Sequence, residues 1–279
     1  MKFKVYFQII RPVNVIIAAF SIGVGAVIAG PLQPFISVVA ACLSGGLITA
    51  AANTVNDVFD LEIDRINKPN RPLPSEAMSL REAKTFSLIL FVAGICCAFL
   101  INTTAFLVAV FFSVLLYFYS ACLKRMVLWG NLVVSFATAF AFIYGGIAVG
   151  HPEYAIYPAL FAFCMHFARE IIKDIEDLKG DSHGNAKTLA VVYGIKPGQW
   201  LVTVLLIVLA GLTLIPFILK LYNHYYLWII IIGVYTVLFY TVWAMWLRTT
   251  PAHMRFLSKL LKADMIVGLV ALYIGRIQL

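Results

Sequence analysis

The residues best suited to chemistry in this sequence form two acidic segments, each at the end of a long apolar stretch. The first runs from Asn56 to Asp64 (NDVFDLEID) and the second from Asp174 to Asp181 (DIEDLKGD). At about 100° per residue, the first segment and the asparagine before it place their oxygen-bearing side chains within a helix arc of about 100°. These side chains belong to Asn53, Asn56, Asp57, Asp60 and Asp64. Glu62 points to the other side, so the pattern predicts one face of oxygen ligands.

The second segment has the same pattern. Its acids fall within an arc of about 60°, and Glu176 faces away. They are Glu170, Asp174, Asp177 and Asp181. A shift of 117 positions without gaps superposes Asp57 on Asp174, Asp60 on Asp177, Asp64 on Asp181 and Asn14 on Asn131. The register indicates an internal duplication, and we expect the two acidic faces to meet on one side of the molecule.

Opposed carboxylates repel one another unless cations lie between them, and hard divalent cations choose oxygen ligands. Mg²⁺ combines one or two carboxylates with phosphate oxygens and water, so we predict Mg²⁺ as cofactor and a phosphate-bearing substrate. The absence of Cys and His from the two faces disfavours zinc and copper. The predicted metal ligands are Asn56, Asp57, Asp60, Asp64, Asp174, Asp177 and Asp181.

Bases flank both acidic segments and are candidates for phosphate contact. They are Arg65, Lys68, Arg71, Lys124, Arg125 and Lys187. Possible further substrate contacts are Asn14, Asn53, Tyr117, Tyr119, Ser120 and Asn131. The loop after Asp64 carries three prolines, which stiffen its backbone.

The elements that carry these residues are predicted to be membrane helices. The chain has 279 residues, of which 62% are hydrophobic and only 12% charged, a composition typical of a polytopic membrane protein. Apolar windows close to the roughly 20 residues that span a bilayer fall at about 6–29, 35–56, 82–101, 104–121, 129–149, 155–176, 199–219, 225–247 and 261–278. We predict an all-α protein with nine transmembrane helices. The first is not a cleavable signal peptide, because Arg11, Pro12 and Asn14 interrupt its apolar run.

The distribution of bases predicts the orientation in the cell membrane. Of the 21 Lys and Arg residues, all but Lys220 and Arg276 fall in the N-terminus or in the loops after even-numbered spans. By the positive-inside rule, the N-terminus and the active-site loops are cytoplasmic and the C-terminus lies outside. The net charge of +8 then reflects topology and anionic membrane lipids, and no nucleic-acid-reading module is present.

The duplication predicts the architecture of one domain over residues 1–279. Two four-helix repeats (5–122 and 123–247) are followed by a ninth helix, 261–278. Because four is an even number, both repeats insert the same way round and are parallel.

Both acidic segments resemble the motifs of one family. NDVFDLEID is similar to the N-D-x-x-D-x-x-x-D motif, and DIEDLKGD to the second D-x-x-x-D motif, of the UbiA superfamily of intramembrane prenyltransferases. DRINKPNRPLP, YSACLKR and KTLAVVYG follow in the order expected for that family, so the resemblance covers most of the chain. Within the superfamily, IDRINKPNRPLPS most resembles archaeal digeranylgeranylglyceryl phosphate synthases, with chlorophyll synthases next. Many relatives have Gly after LPS, where this chain has Glu76.

The resemblance implies Mg²⁺-dependent transfer of a geranylgeranyl group from its pyrophosphate to the free glycerol hydroxyl of geranylgeranylglyceryl phosphate. This reaction forms the second ether bond of archaeal membrane lipids. The resemblance gives catalytic roles to Asp60, Asp64, Asp177 and Asp181. Candidates for the acceptor phosphate are Lys124, Arg125, Arg65 and Lys68. The general base stays open between an aspartate and a pyrophosphate oxygen.

Two other functions compete with this one. A prenyltransferase with an aromatic or tetrapyrrole acceptor would use the same metal site. A transporter would also carry intramembrane acids and parallel repeats. The acids here cluster near one membrane face rather than at the midplane, which favours an enzyme.

Overall fold

The computed structural model describes residues 2–183 and 187–276, and within these ranges all regular secondary structure is helical, without a strand. In chain order the α-helices are α1 (Lys2–Ile9), α2 (Pro12–Ala29), α3 (Phe35–Phe59), α4 (Leu61–Asn67), α5 (Leu80–Phe99), α6 (Thr103–Ala121), α7 (Trp129–Ala148), α8 (Ile156–Glu176), α9 (Leu178–His183), α10 (Leu189–Tyr193), α11 (Ile195–Ile218), α12 (His224–Ile229), α13 (Tyr235–Leu247) and α14 (Pro251–Arg276). A π-helical segment, Ile230–Val234, joins α12 to α13. In the described ranges, eight helices are long and apolar enough to cross a membrane. The all-helical membrane fold predicted from composition is confirmed.

The structure differs from the predicted spans at both ends of the chain. The first apolar window contains two helices, because Arg11 adopts a left-handed backbone (φ 52°) immediately before Pro12, whose ring fixes the first turn of α2. The last helix begins at Pro251, ten residues before the predicted start. It is not among the eight candidate spans, since charged residues such as Lys259, Lys262 and Asp264 interrupt its apolar sequence.

The chain divides into two compact units. The first comprises the residues up to Lys124 together with Phe140–Ala155. Its central helix is α3, which packs against α2, α5 and α6. The second half of α7 approaches α2 closely, since a β-carbon on Gly25 or Gly145 would overlap the backbone of the other helix. Small residues allow this kind of helix contact in membranes.

The second unit comprises Arg125–Ala139 and the residues from Ile156 onward. Its central helix is α8, which packs against α11 and α14. Ile171, Ile172 and Leu261 are fully buried in this unit. Asn223 ties the start of α12 to α14 by donating from its side chain to the carbonyl oxygen of Ile274 over 3.0 Å.

Each acidic segment lies where a long helix gives way to a short one. α3 ends at Phe59 and α4 begins at Leu61, which leaves Asp60 between them with φ −91° and ψ 2°. α8 ends at Glu176 and α9 begins at Leu178, which leaves Asp177 in the corresponding place. In both cases a helix break therefore lies within the acidic segment, a feature that the sequence pattern did not predict.

Candidate active site

The aspartates of the first segment are buried although they stand at a helix end. Asp57, Asp60 and Asp64 are 3%, 8% and 3% exposed. The backbone continues through the break, because the amide of Asp60 donates to Asn56 and that of Asp64 donates to Asp60. The three carboxylates remain on one side of the chain. Buried charges require partners, and bases from three other elements of the first unit supply them.

Arg71 comes from the proline-rich loop between α4 and α5. Its Nη1 donates to Asp64 Oδ2 over 2.5 Å and to Asp57 Oδ1 over 3.1 Å. Leu73 and Met78 anchor this loop, because both are buried in a hydrophobic cluster with Ile9 of α1. The prolines and these two apolar residues therefore hold the guanidinium over two acids at once.

Arg11 approaches the same acids from the junction of α1 and α2. Its guanidinium donates to Oδ1 of Asp57 and forms a salt bridge with it. Asp57 thus accepts from two guanidinium groups, those of Arg11 and Arg71. From the sequence, Arg11 was predicted to be a cytoplasmic base that interrupts the first apolar run, and it was not predicted to contact the acids. An arginine inside an apolar run is costly without a partner, and this was the signal for a role at the acids.

Lys124 follows α6 in a short 3₁₀ turn, Leu123–Arg125. Its ammonium group forms a salt bridge with Asp60 and donates to Asn56 Oδ1 over 3.1 Å. Each of the three buried aspartates therefore contacts at least one basic group.

Lys68 lies beside this cluster without a salt bridge to it among the described residues. Two effects lower the pKa of Lys68: partial desolvation, which is the larger, and the positive charge of Arg71. The negative charge of Asp64 opposes that shift. The proton of Lys68 is thus held less tightly than that of an isolated lysine.

Several predicted contact residues of the first unit have other partners. Arg65 donates to Glu62 over 3.0 Å on the exposed side of α4, away from the buried acids. Asn53 donates to the carbonyl oxygen of Ile10 over 2.9 Å and so supports the α1–α2 junction. Ser120 donates to Leu116 within α6. Asn14 is exposed.

Two tyrosines and a base complete the predicted set near the end of α6. Tyr117 is 47% exposed, and its ring packs edge-on against Phe59 next to Asp60. Tyr119 is partly buried, and Arg125 ends the 3₁₀ turn beside Lys124.

The second acidic segment lies in the second unit and has a different set of partners. Asn131 donates from Nδ2 to Asp174 Oδ2 over 2.7 Å. Glu170 pairs with Arg169 and Lys173 at 2.9 and 2.8 Å. Asp177 is exposed and Asp181 partly exposed. Asp174 therefore accepts a hydrogen bond from a neutral amide, whereas Asp57 accepts from two guanidinium groups.

Two residues beside the second segment lie outside its acidic face. Glu176 turns away from it and binds Arg255 of α14 at 2.6 Å. Lys187 is exposed just before α10.

The donor set of the first unit suits a hard divalent cation. It consists of the carboxylate oxygens of Asp57, Asp60 and Asp64 and the amide oxygen of Asn56, and one oxygen of each side chain already contacts a basic group. Within residues 2–183 and 187–276, no three Asp, Glu, His or Cys side chains form a complete metal cage. Mg²⁺ does not require one, because one or two carboxylates and substrate phosphate oxygens are its usual ligands in enzymes. The residues present therefore fit Mg²⁺ that is bound together with a phosphate substrate.

The sequence model of the UbiA prenyltransferase family matches residues 18–263. The chain belongs to this family. The matched range includes both acidic segments, Arg71 and Lys124, and it begins after Arg11. The resemblance drawn from the motifs is confirmed.

Curated relatives match nearly the whole chain. A digeranylgeranylglyceryl phosphate synthase from Saccharolobus solfataricus is 35% identical over 99% of this chain and 98% of its own. A second such synthase, from Methanosphaera stadtmanae, is 33% identical over 98% of this chain and 99% of its own. One from Thermococcus sibiricus is 44% identical over 70% of this chain and 71% of its own.

Solved structures share the fold. A structure described as that of digeranylgeranylglyceryl phosphate synthase has a TM-score of 0.88 and 32% identity, and the match covers 100% of this chain and 99% of the other. A UbiA homologue from Archaeoglobus fulgidus, bound to DMAPP and Mg²⁺, has a TM-score of 0.76 and 19% identity over 96% and 99%. The second similarity concerns the fold alone.

Proposed function

We propose that this enzyme transfers a geranylgeranyl group from geranylgeranyl pyrophosphate to the free glycerol hydroxyl of geranylgeranylglyceryl phosphate. The reaction is that of a digeranylgeranylglyceryl phosphate synthase, and its product carries the second ether bond of archaeal membrane lipids. The observation that carries the proposal is the cluster of three buried aspartates held by Arg11, Arg71 and Lys124. Full-length identity to relatives of that name supports the choice of acceptor.

The cofactor of the proposed reaction is Mg²⁺. In the first unit its ligands would come from Asn56, Asp57, Asp60 and Asp64, and in the second from Asp174, Asp177 and Asp181. When bound, Mg²⁺ supplies positive charge that stabilises the pyrophosphate leaving group.

The residues of this chain position the donor and stabilise its leaving group. Arg71 and Lys124 offer charge-assisted hydrogen bonds to pyrophosphate oxygens, which gain negative charge as the allylic carbon–oxygen bond breaks. The glycerol oxygen then forms a bond to the allylic carbon, its proton passes to a pyrophosphate oxygen or to an aspartate, and pyrophosphate departs. Lys68 and Arg125 stay candidates for the acceptor phosphate, and Lys187 stays a candidate for phosphate contact in general. Tyr117 and Tyr119, in the last turns of α6, would help to shield the allylic cation from water.

The membrane arrangement completes the proposal. The eight candidate spans and the apolar second half of α14 would make nine. At about 1.5 Å per residue, the 26 residues of α14 extend about 39 Å, which exceeds the roughly 30 Å hydrocarbon core of a bilayer, so its first turns, with Arg255, would stay at the cytoplasmic surface. Two parallel four-helix repeats, 5–122 and 123–247, precede it in one domain. The N-terminus and active-site loops face the cytoplasm, and the C-terminus lies outside.

A direct assay tests the reaction. Purified protein in detergent is incubated with Mg²⁺, labelled geranylgeranyl pyrophosphate and one of three acceptors: geranylgeranylglyceryl phosphate, an aromatic acid or a chlorophyllide. We expect an ether product only with the glyceryl phosphate. Prenylation of either other acceptor in its place overturns the assignment of the acceptor.

A further inference from the structure

We propose that Arg11 is a switching ligand of the donor site: it holds Asp57 until a divalent cation takes that carboxylate, and it then binds the pyrophosphate that arrives with the cation. This inference rests on the proposed function and adds a residue that the motifs do not contain.

The first step of the argument is competition for Asp57. Asp57 as a whole residue is 3% exposed, and both Arg11 and Arg71 contact its carboxylate. A cation that binds the same oxygen must displace or share these groups, since the guanidinium of Arg11 lies directly on Oδ1. Arg71 retains Asp64 as a second partner. Arg11 has no second acid among the salt bridges of the described residues, so it is the group that a cation would release.

The second step is that the fold does not require the charge of Arg11. The residue 117 positions later is Leu128, and it also has a left-handed backbone (φ 62°) at the start of a long helix. The same backbone conformation therefore forms with an apolar side chain. A left-handed backbone costs about 1 kcal/mol for a residue with a β-carbon. The fold tolerates this conformation at both position 11 and position 128. The charge at position 11 is an addition specific to the first acidic segment.

The third step is the destination of the released guanidinium. Arg11 is 30% exposed at its side chain while Asp57 is 4% exposed, so the base lies on the open side of the pair. A guanidinium there can turn to a phosphate group without leaving the cluster, and Arg binds phosphate through two parallel hydrogen bonds. Arg11 can thus exchange its carboxylate partner, Asp57, for a pyrophosphate group.

The test uses Arg11→Leu, which copies Leu128. Mn²⁺ binding is measured by electron paramagnetic resonance on chelator-washed protein, first without and then with inorganic pyrophosphate. We expect Arg11→Leu to bind Mn²⁺ alone about tenfold more tightly than the wild type, the size of one charge-assisted hydrogen bond to the carboxylate. In the presence of Mn²⁺ it should bind pyrophosphate about tenfold more weakly.

Arg81→Leu serves as the matched control, because it removes an exposed arginine of the first unit that has no salt bridge among the described residues. Arg11→Gln provides a second variant if the leucine variant does not fold. Unchanged or weaker Mn²⁺ binding by a folded Arg11 variant overturns the proposal, as does unchanged pyrophosphate binding. Both readouts are independent of the acceptor, so they stand even if the wild type makes a different prenyl product.

Discussion

Asp60 and Asp177 each occupy the single residue between a long helix and a short one, and they are 117 positions apart in the chain. Each also carries the backbone amide that bonds back to the residue four before it, Asn56 and Lys173. The break between two helices therefore recurs at the same offset of 117 positions as the acids. In the first unit, Asp64 follows this break by four residues and still shares Arg71 with Asp57.

Asp60→Asn should abolish turnover while the protein stays folded. The substitution keeps the size of the side chain but removes the charge that binds Lys124 and, in the proposed function, Mg²⁺. We expect kcat to fall by at least about 10³-fold, as for loss of a main electrostatic group in an active site. The measurement is prenyl transfer at saturating donor and acceptor, with size-exclusion chromatography in detergent as the folding check. Glu62→Gln on α4 is the matched control, and near-normal activity of Asp60→Asn would contradict the metal assignment.

Lys124→Met should raise KM for the pyrophosphate donor more than KM for the acceptor. The sequence left this lysine as a candidate for the acceptor phosphate, but the structure places its ammonium group on Asp60 and Asn56. Loss of one charge-assisted contact to phosphate predicts an increase of about tenfold in the donor KM. Initial rates with each substrate varied in turn provide the test. An increase confined to the acceptor KM would return Lys124 to the acceptor.

The sequence predicted the acids of the site better than their surroundings. Motif spacing identified Asp57, Asp60 and Asp64 because ligand type and helix periodicity are local properties. The partner of Asp57 was not local, since Arg11 lies 46 residues earlier. Helix periodicity predicted one acidic face, which Asp57, Asp60 and Asp64 keep, but it did not predict the break between two helices at Asp60. Such breaks depend on tertiary packing, which a periodic pattern does not contain.

Glu76→Gly should stabilise the loop that carries Arg71. Glu76 has a left-handed backbone (φ 58°), a conformation that glycine adopts without a steric penalty. Relief of this strain is worth about 1 kcal/mol, which predicts a rise in Tm of about 2 °C for a chain of this size. Glu76→Ala is the control, because it removes the charge but keeps the β-carbon. Equal melting temperatures for the Gly and Ala variants would show that the backbone is not the cause.

Asp264→Val should also raise the melting temperature, for a different reason. Asp264 lies on the buried face of α14, 2% exposed, and neither of its carboxylate oxygens has a hydrogen-bond partner within residues 2–183 and 187–276. A buried polar group without a partner costs about 1 to 3 kcal/mol, and an apolar side chain of similar size removes that cost.

Thermal unfolding in detergent at one fixed scan rate should give an increase of about 5 °C for Asp264→Val. Asp264→Asn should give a smaller gain, because it removes the charge but keeps two polar atoms without partners. A valine variant that melts below the wild type would show instead that the carboxyl group stabilises the second unit.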